Sequence, residues 1–217
     1  YIAIWFQAVR GVSAIRSGIN TIPMVAGTFA GGIFAARMTA RLGYYTPLMV
    51  ASAVFTSIGA GFTITWTVNT SVLVWAAWQV LFGFGAGMGM QQGAMAAQTV
   101  LDKTDVATGV SLMAFAQQLG GAVFVSVGQN IMVSSLAAGI TGLVPGSDSL
   151  NIVSGGATDL KSAIPPQYSQ QVLETYNGAL RSTFIAATVM AACSMLGAVA
   201  MEWRSIKEKG PSKQASE

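Results

Sequence analysis

The chain has 217 residues, 53% of them hydrophobic and 9% charged, with a net charge of +3. Soluble domains carry about 25% charged residues, so this chain cannot dress a water-facing surface, and its small, scattered basic excess makes no nucleic-acid footprint. The lack of histidine and the single cysteine, Cys193, exclude His-based catalysis, His metal ligation, an internal disulfide and a zinc cluster.

Taken in order, the apolar runs predict membrane helices, each needing about 20 residues. The chain opens on Tyr1 in an apolar stretch, with neither an initiator methionine nor a visible signal peptide. Residues 1–9 are expected to be the tail of a first span whose upstream part lies outside these residues. A polar turn holding Arg10 and Arg16 precedes a second span over 17–36. Ser17 is its candidate cap, Pro23 falls in its first third, and Gly27, Gly31 and Gly32 are packing positions. A basic loop at 37–46, a third span at 47–66 and a turn at 67–71 follow. The fourth span, 72–100, contains Gly83-Phe84-Gly85-Ala86-Gly87-Met88-Gly89-Met90-Gln91-Gln92-Gly93. Such a run would break a helix in water, but in lipid the backbone must satisfy its own hydrogen bonds and the helix persists. At 100° per residue Gly83, Gly87, Gln91 and Gln98 fall near one face. Gly85, Gly89 and Gly93 repeat the small-xxx-small spacing on another, so this helix is expected to pack on two sides. A polar link at 102–105, with Asp105 or Thr108 as cap, leads into a fifth span over 107–135. Residues 139–178 read as a long solvent loop with a short helix near 168–176, then come a sixth span at 182–201 and a charged tail at 202–217. The architecture expected is an all-α membrane bundle of five whole spans and part of a sixth.

Alternate loops fall on opposite sides. One side collects Arg37, Arg41, Lys103, Arg204, Lys207, Lys209 and Lys213, seven of the eleven basic residues. The positive-inside rule puts that side in the cytosol and the 139–178 loop outside. Trp66, Trp75 and Trp78 are expected as interface aromatics of the outer turn, with Tyr44 and Tyr45 at the inner boundary. Trp5 and Phe6 admit stacking on an aromatic ligand or, again, interface anchoring. Asn69-Thr70-Ser71 is a glycosylation sequon, placed too near the membrane for ready use.

No Asp or Glu lies inside any predicted span, so a titrating carboxylate for proton movement is expected outside this chain. The spans carry amides instead. Gln91, Gln92, Gln98, Gln117 and Gln118 concentrate on two neighbouring helices, as the wall of a wet cavity or as interhelical glue worth about 0.6–2 kcal/mol each. Gly83, Gly87, Gly89 and Gly121 are candidate close-packing and sliding positions. The Gly-x-Gly run lacks the strand-then-helix setting of a dinucleotide loop. No span offers a nucleophile–base pair or a metal set, so no enzyme and no cofactor is expected.

Several segments carry a likeness. Phe6-Gln7-Ala8-Val9-Arg10-Gly11-Val12-Ser13, Ser17-Gly18-Ile19-Asn20 and Pro23, the glycine-rich run ending in Gln91-Gln92, and Asp105-Val106-Ala107-Thr108-Gly109 are the first of them. Gln117-Gln118-Leu119-Gly120-Gly121-Ala122 and Tyr176-Asn177-Gly178-Ala179-Leu180-Arg181 complete the set. In order and spacing they resemble the C-terminal half of fungal major facilitator superfamily efflux pumps, in particular the fourteen-helix drug:proton antiporter group that includes mycotoxin exporters. The loop motif of that superfamily, Gly-x-x-x-Asp-Arg-x-Gly-Arg, has a degenerate copy here. Arg41-Leu42-Gly43 fits its Arg-x-Gly part, while Ala36, Ala40 and Tyr44 replace the Gly, Asp and final Arg. Arg37 and Arg41 remain candidates to meet a helix C-terminus or a carboxylate elsewhere.

The resemblance implies two six-helix halves around a midplane site, transport by rocking of the halves, and export of small amphipathic compounds against proton influx. Gln91, Gln92, Gln117 and Gln118 would line the cavity. The partners are then the bilayer, a small-molecule substrate, protons and the N-terminal half of the same protein, in the plasma membrane or a vacuolar or vesicle membrane. A truncated, non-transporting membrane protein and a facilitator or nutrient importer are the alternatives.

Overall fold

A computed structural model describes residues 1–143 and 169–206. The elements are α1 (Ile2–Ala8), α2 (Ala14–Asn20), α3 (Ile22–Leu42), α4 (Thr46–Thr63), α5 (Val72–Gly89), α6 (Gln92–Val100), α7 (Val106–Leu143) and α8 (Ser169–Ala200). Among the described residues, five stretches are long and apolar enough to cross a membrane: Ala14–Leu42, Thr46–Thr63, Val72–Val100, Val106–Thr141 and Gln170–Ala200. Among the described residues there is no strand, only an isolated bridge between Tyr44 and Ser205.

Local chemistry explains the helix ends. Pro23 and Pro47 sit in the first turns of α3 and α4, where no backbone N–H is needed. Gly43 closes α3 in the left-handed region, φ 78°, with its N–H donating to the Thr39 carbonyl. Ser13, not Ser17, caps α2, its hydroxyl accepting from the Arg16 N–H. Ser17 is instead fully buried and donates to the Ala3 carbonyl at 2.8 Å, tying α2 to α1.

The expected second and fourth spans are each interrupted. The 17–36 span divides at Thr21, two residues before Pro23, and then runs on to Leu42, so that Arg37 and Arg41 lie in the last turns of α3 rather than in a loop. Proline lacks the N–H that a continuous helix would use and crowds the carbonyl four residues back. The 72–100 span breaks at Met90 and Gln91, just after four alternating glycines. The outer helices are longer than expected. Residues 139–143 continue α7, and 169–178 belong to α8 without a separate short helix, which brings Glu174 into α8 as an exposed residue. Residues 144–168, with Pro145-Gly146 and Pro165-Pro166, and the tail from 207 onward lie outside the described residues.

The helix α5 is the centre of the packing, held between α3 and α4. On one side a Cβ at Gly83 or Gly87 would run into the Met24 or Thr28 carbonyl of α3, and a Cβ at Gly27 or Gly31 into the Val80 or Phe84 carbonyl of α5. Each helix thus presents a Gly-x-x-x-Gly pair to the backbone of the other. On the other side a Cβ at Gly59 of α4 would lie 2.6 Å from the Phe82 Cα, and Ser52 beside Gly89 donates to the Gly85 carbonyl at 2.8 Å. Then α8 packs on α4 and α7, and α7 meets α6.

An aromatic core closes one end. Trp5 and Phe6 of α1 pack with Trp66, Trp75, Tyr176 and Phe184; ring centroids are 5.0 Å apart for Trp5–Trp66 and 4.9 Å for Phe6–Trp75. Asn177 of α8 pins this core. Its carboxamide oxygen accepts from the Trp5 indole N–H at 2.8 Å, and its Nδ2 donates to the Trp66 carbonyl at 3.1 Å. The interface-anchor reading of Trp5, Phe6, Trp66 and Trp75 is therefore corrected: all four are buried in this cluster, where neighbouring rings from α1, α5 and α8 cover them. Trp78 is half-buried and stacks on Phe62.

Contacts between loops agree with the alternating order. Arg10 donates to the Val68 and Thr70 carbonyls, at 2.6 and 3.3 Å, at the aromatic end. At the opposite end Tyr45 and Thr46 donate to the Glu202 carbonyl, at 2.8 and 3.0 Å, and the Ile206 N–H donates to the Gly43 carbonyl. Burial first, and then the Glu202 carboxylate, hold the Tyr45 phenol above its ordinary pKa.

Candidate functional site

The interruption between α5 and α6 opens a cleft of about 260 Å³. It is lined by Gly32 and Ala35 of α3, Gly87 and Met88 of α5, and Gln91, Gln92, Met95 and Gln98 at and within α6. The glycines make this cleft possible. At Gly87 the two helix backbones approach too closely for a side chain, and one turn later the chain leaves α5 and turns into α6.

The three amides differ in setting. Gln91 and Gln98 are exposed at the rim. Gln92 is 2% exposed; its Nε2 donates to the Thr39 hydroxyl at 3.5 Å, and its Oε1 has no partner among the described residues. Methionine and alanine supply the apolar part of the lining, and no ionisable group belongs to it. Chemically the cleft can hold an uncharged molecule by shape, by the adaptable Met side chains and by amide hydrogen bonds. It has no group to transfer a proton or attack a carbon.

Of the residues singled out from sequence, Gly87, Gln91 and Gln92 meet at this cleft, joined by Gln98. Gly83 and Gly89 do not line it but seat α5 on α3 and α4. Gln117 and Gln118 are on α7, exposed and away from the cleft, and a Cβ at Gly121 would meet nothing within 4 Å. The middle of α7 lies along no other described helix. Arg37 is exposed, and Arg41 lies in the last turn of α3, where a cation complements the helix dipole.

One residue escaped the sequence reading. Gln79 is fully buried in α5, and neither its Nε2 nor its Oε1 has a partner among the described residues. Its signal was present: it lies one turn before Gly83, on the stripe that continues through Gly87 and Gln91. Asn177 was noted for its surroundings but not for its double hydrogen bond, which no spacing announces.

With this geometry in view, the similarities are informative. An MFS-type efflux pump of Trichophyton rubrum is 47% identical over 209 residues, 96% of this chain and 39% of the relative. The efflux pump aflT of Aspergillus parasiticus is 42% identical over 209 residues, 96% of this chain and 41% of the relative. A rubrofusarin-specific efflux pump of Gibberella zeae is 38% identical over 204 residues, 94% and 37%. No family model and no solved structure matches the chain. The chain spans about two fifths of the length of these curated relatives. Identity over nearly every described helix, together with five membrane-length helices among the described residues, makes this an integral, multi-pass membrane chain that is similar, over almost its whole length, to a part of MFS-type efflux pumps.

Proposed function

We propose that this chain forms the C-terminal half of an efflux transporter that exports small amphipathic compounds by alternating access coupled to proton entry. The observation that carries the reading is the broken α5–α6 span, whose break lines a cleft of amides and apolar side chains. Irregular backbone at membrane depth is tolerated where it lines a cavity, and transporter sites are typically built on discontinuous helices. The printed names of the relatives, efflux pumps for toxins and secondary metabolites, support the same direction.

In this reading Gln91 and Gln92 contact substrate from one wall. Gln117, Gln118 and Gly121 on the uncovered face of α7 meet the N-terminal half across the cavity. Gly83, Gly87 and Gly89 let α5 slide against its neighbours, and Arg37 and Arg41 act at the cytosolic end. The proton-carrying carboxylate belongs to the other half, and the Glu202 end faces the cytosol of the plasma membrane.

The test is accumulation of the uncharged dye Nile red in yeast lacking its own pumps and expressing the complete protein. Accumulation should fall several-fold and recover when a protonophore collapses the gradient. Lower accumulation that ignores the protonophore would remove proton antiport. Unchanged accumulation of Nile red and of a panel of fungal polyketides would remove efflux.

A further inference from the structure

We infer that the segment following α8 is a binding site for an anionic phospholipid. Strapped by its backbone across the α3–α4 turn, it presents the Trp203 indole and the Arg204 guanidinium to the lipid headgroup layer. The site stands whatever the protein transports and goes beyond the efflux reading above.

The strap is held through its main chain. The Glu202 carbonyl accepts from the Tyr45 and Thr46 hydroxyls, Ser205 pairs with Tyr44 in an antiparallel bridge, and the Ile206 N–H donates to the Gly43 carbonyl at 2.7 Å. Tyr45 and Thr46 are fully buried beneath it. Lifting the strap would orphan both hydroxyls, which opposes its release. The two side chains between these anchors point outward instead: Trp203 is 66% exposed and the Arg204 side chain 58%. Trp5, Trp66 and Trp75 are buried and Trp78 is half-buried, so Trp203 is the exception among the tryptophans. It follows the membrane-length stretch Gln170–Ala200 by three residues. An indole there has its apolar ring at the edge of the hydrocarbon and its N–H in the headgroups. Tyr44, exposed beside the strap, adds a second ring of this kind.

The charge decides which lipid. Arg204 and, in the last turn of α3, Arg41 are exposed at this end. The opposing charge on the strap is the Glu202 carboxylate, 3.9 Å from the Arg204 Nε and itself 70% exposed. A pair so open to solvent is worth at most about 1 kcal/mol. It engages Nε and leaves the two terminal nitrogens of the fork, whose spacing suits a phosphate. Past the strap the sequence adds Lys207, Lys209 and Lys213 against Glu208 and Glu217, so the sign stays positive. A zwitterionic lipid brings its own cation to such a surface, and a net-anionic one does not.

The test places the complete protein in phosphatidylcholine nanodiscs containing a small, equal content of brominated phosphatidylserine or brominated phosphatidylcholine. Bromine quenches tryptophan at contact, and the emission lost in Trp203→Phe isolates the signal of Trp203. That signal should be quenched about fivefold more strongly by the brominated phosphatidylserine, the ratio given by about 1 kcal/mol per basic residue at a charged surface. Arg204→Gln should remove most of the excess, and Arg204→Lys, which keeps the charge, should restore it. Both side chains are exposed, so folded yield should not change. Equal quenching by the two lipids overturns the site. So does no quenching by either, which would put Trp203 off the bilayer. An excess that Arg204→Gln leaves intact, or that Arg204→Lys restores no better than Arg204→Gln, overturns the part given to the Arg204 charge and with it the assignment.

Discussion

Buried amides are where single residues matter most in this chain. Gln79 is enclosed with both ends of its carboxamide unpaired among the described residues, and an orphaned buried group costs about 1–3 kcal/mol. Gln79→Met, of similar shape and without the polar atoms, should therefore stabilise the purified protein by about 1 kcal/mol, read as a higher melting temperature in detergent. A lower melting temperature would mean that the amide is engaged by something beyond the described residues. Asn177 is the opposite case, since both ends of its amide are used. Asn177→Leu leaves the buried Trp5 indole N–H without an acceptor. It should destabilise by about 2 kcal/mol, with the loss visible as a red shift of tryptophan emission as water reaches the aromatic core.

Among elements, the paired glycines of α3 and α5 decide how closely two backbones lie. The added methyl of Gly87→Ala would meet the Thr28 carbonyl, a neighbour that cannot rotate away. Overpacking of this kind costs about 1–3 kcal/mol, so the variant should lower folded yield and melting temperature clearly. Gly121→Ala is the internal control, because open space surrounds that position. Its effect on folding should stay within about 0.5 kcal/mol or favour the helix, alanine being the better helix former. A loss of transport by Gly121→Ala at normal folded yield would support close approach of α7 to the other half.

For the whole molecule, the loop contacts make a topological statement. Tyr44 pairs with Ser205 at one end, and Arg10 reaches Val68 and Thr70 at the other. In a Cys193→Ser background, single cysteines at Tyr44 and Lys103 should react with a membrane-impermeant maleimide only in inside-out vesicles. One at Asn69 should react only in intact cells. All three positions are exposed, so labelling reports side rather than burial. Labelling of Tyr44 and Asn69 from the same side would break the alternating order, and a uniform reversal would put the Glu202 end outside.

Much of this was legible from residues alone, for a physical reason. A bilayer removes water from the backbone, so spanning segments must be long, apolar and self-bonded, and the runs 47–66, 72–100 and 107–135 stand out from composition. The glycine spacing in α5 likewise carries angular information, and it identified two packing faces before any neighbour was known. Periodicity gives a direction around a helix axis but not what stands there. Only the tertiary structure decided that Gly83 and Gly87 face α3 while Gly85 and Gly89 face α4. It alone brought Gln91, Gln92 and Gln98 to one cleft without Gln117 and Gln118. It also turned Trp66 and Trp75 from expected interface residues into core. An aromatic ring suits the interface and the interior about equally well, and an amide suits a cavity and a helix contact alike. Where the intrinsic preference is divided in this way, the neighbours that folding delivers settle the role.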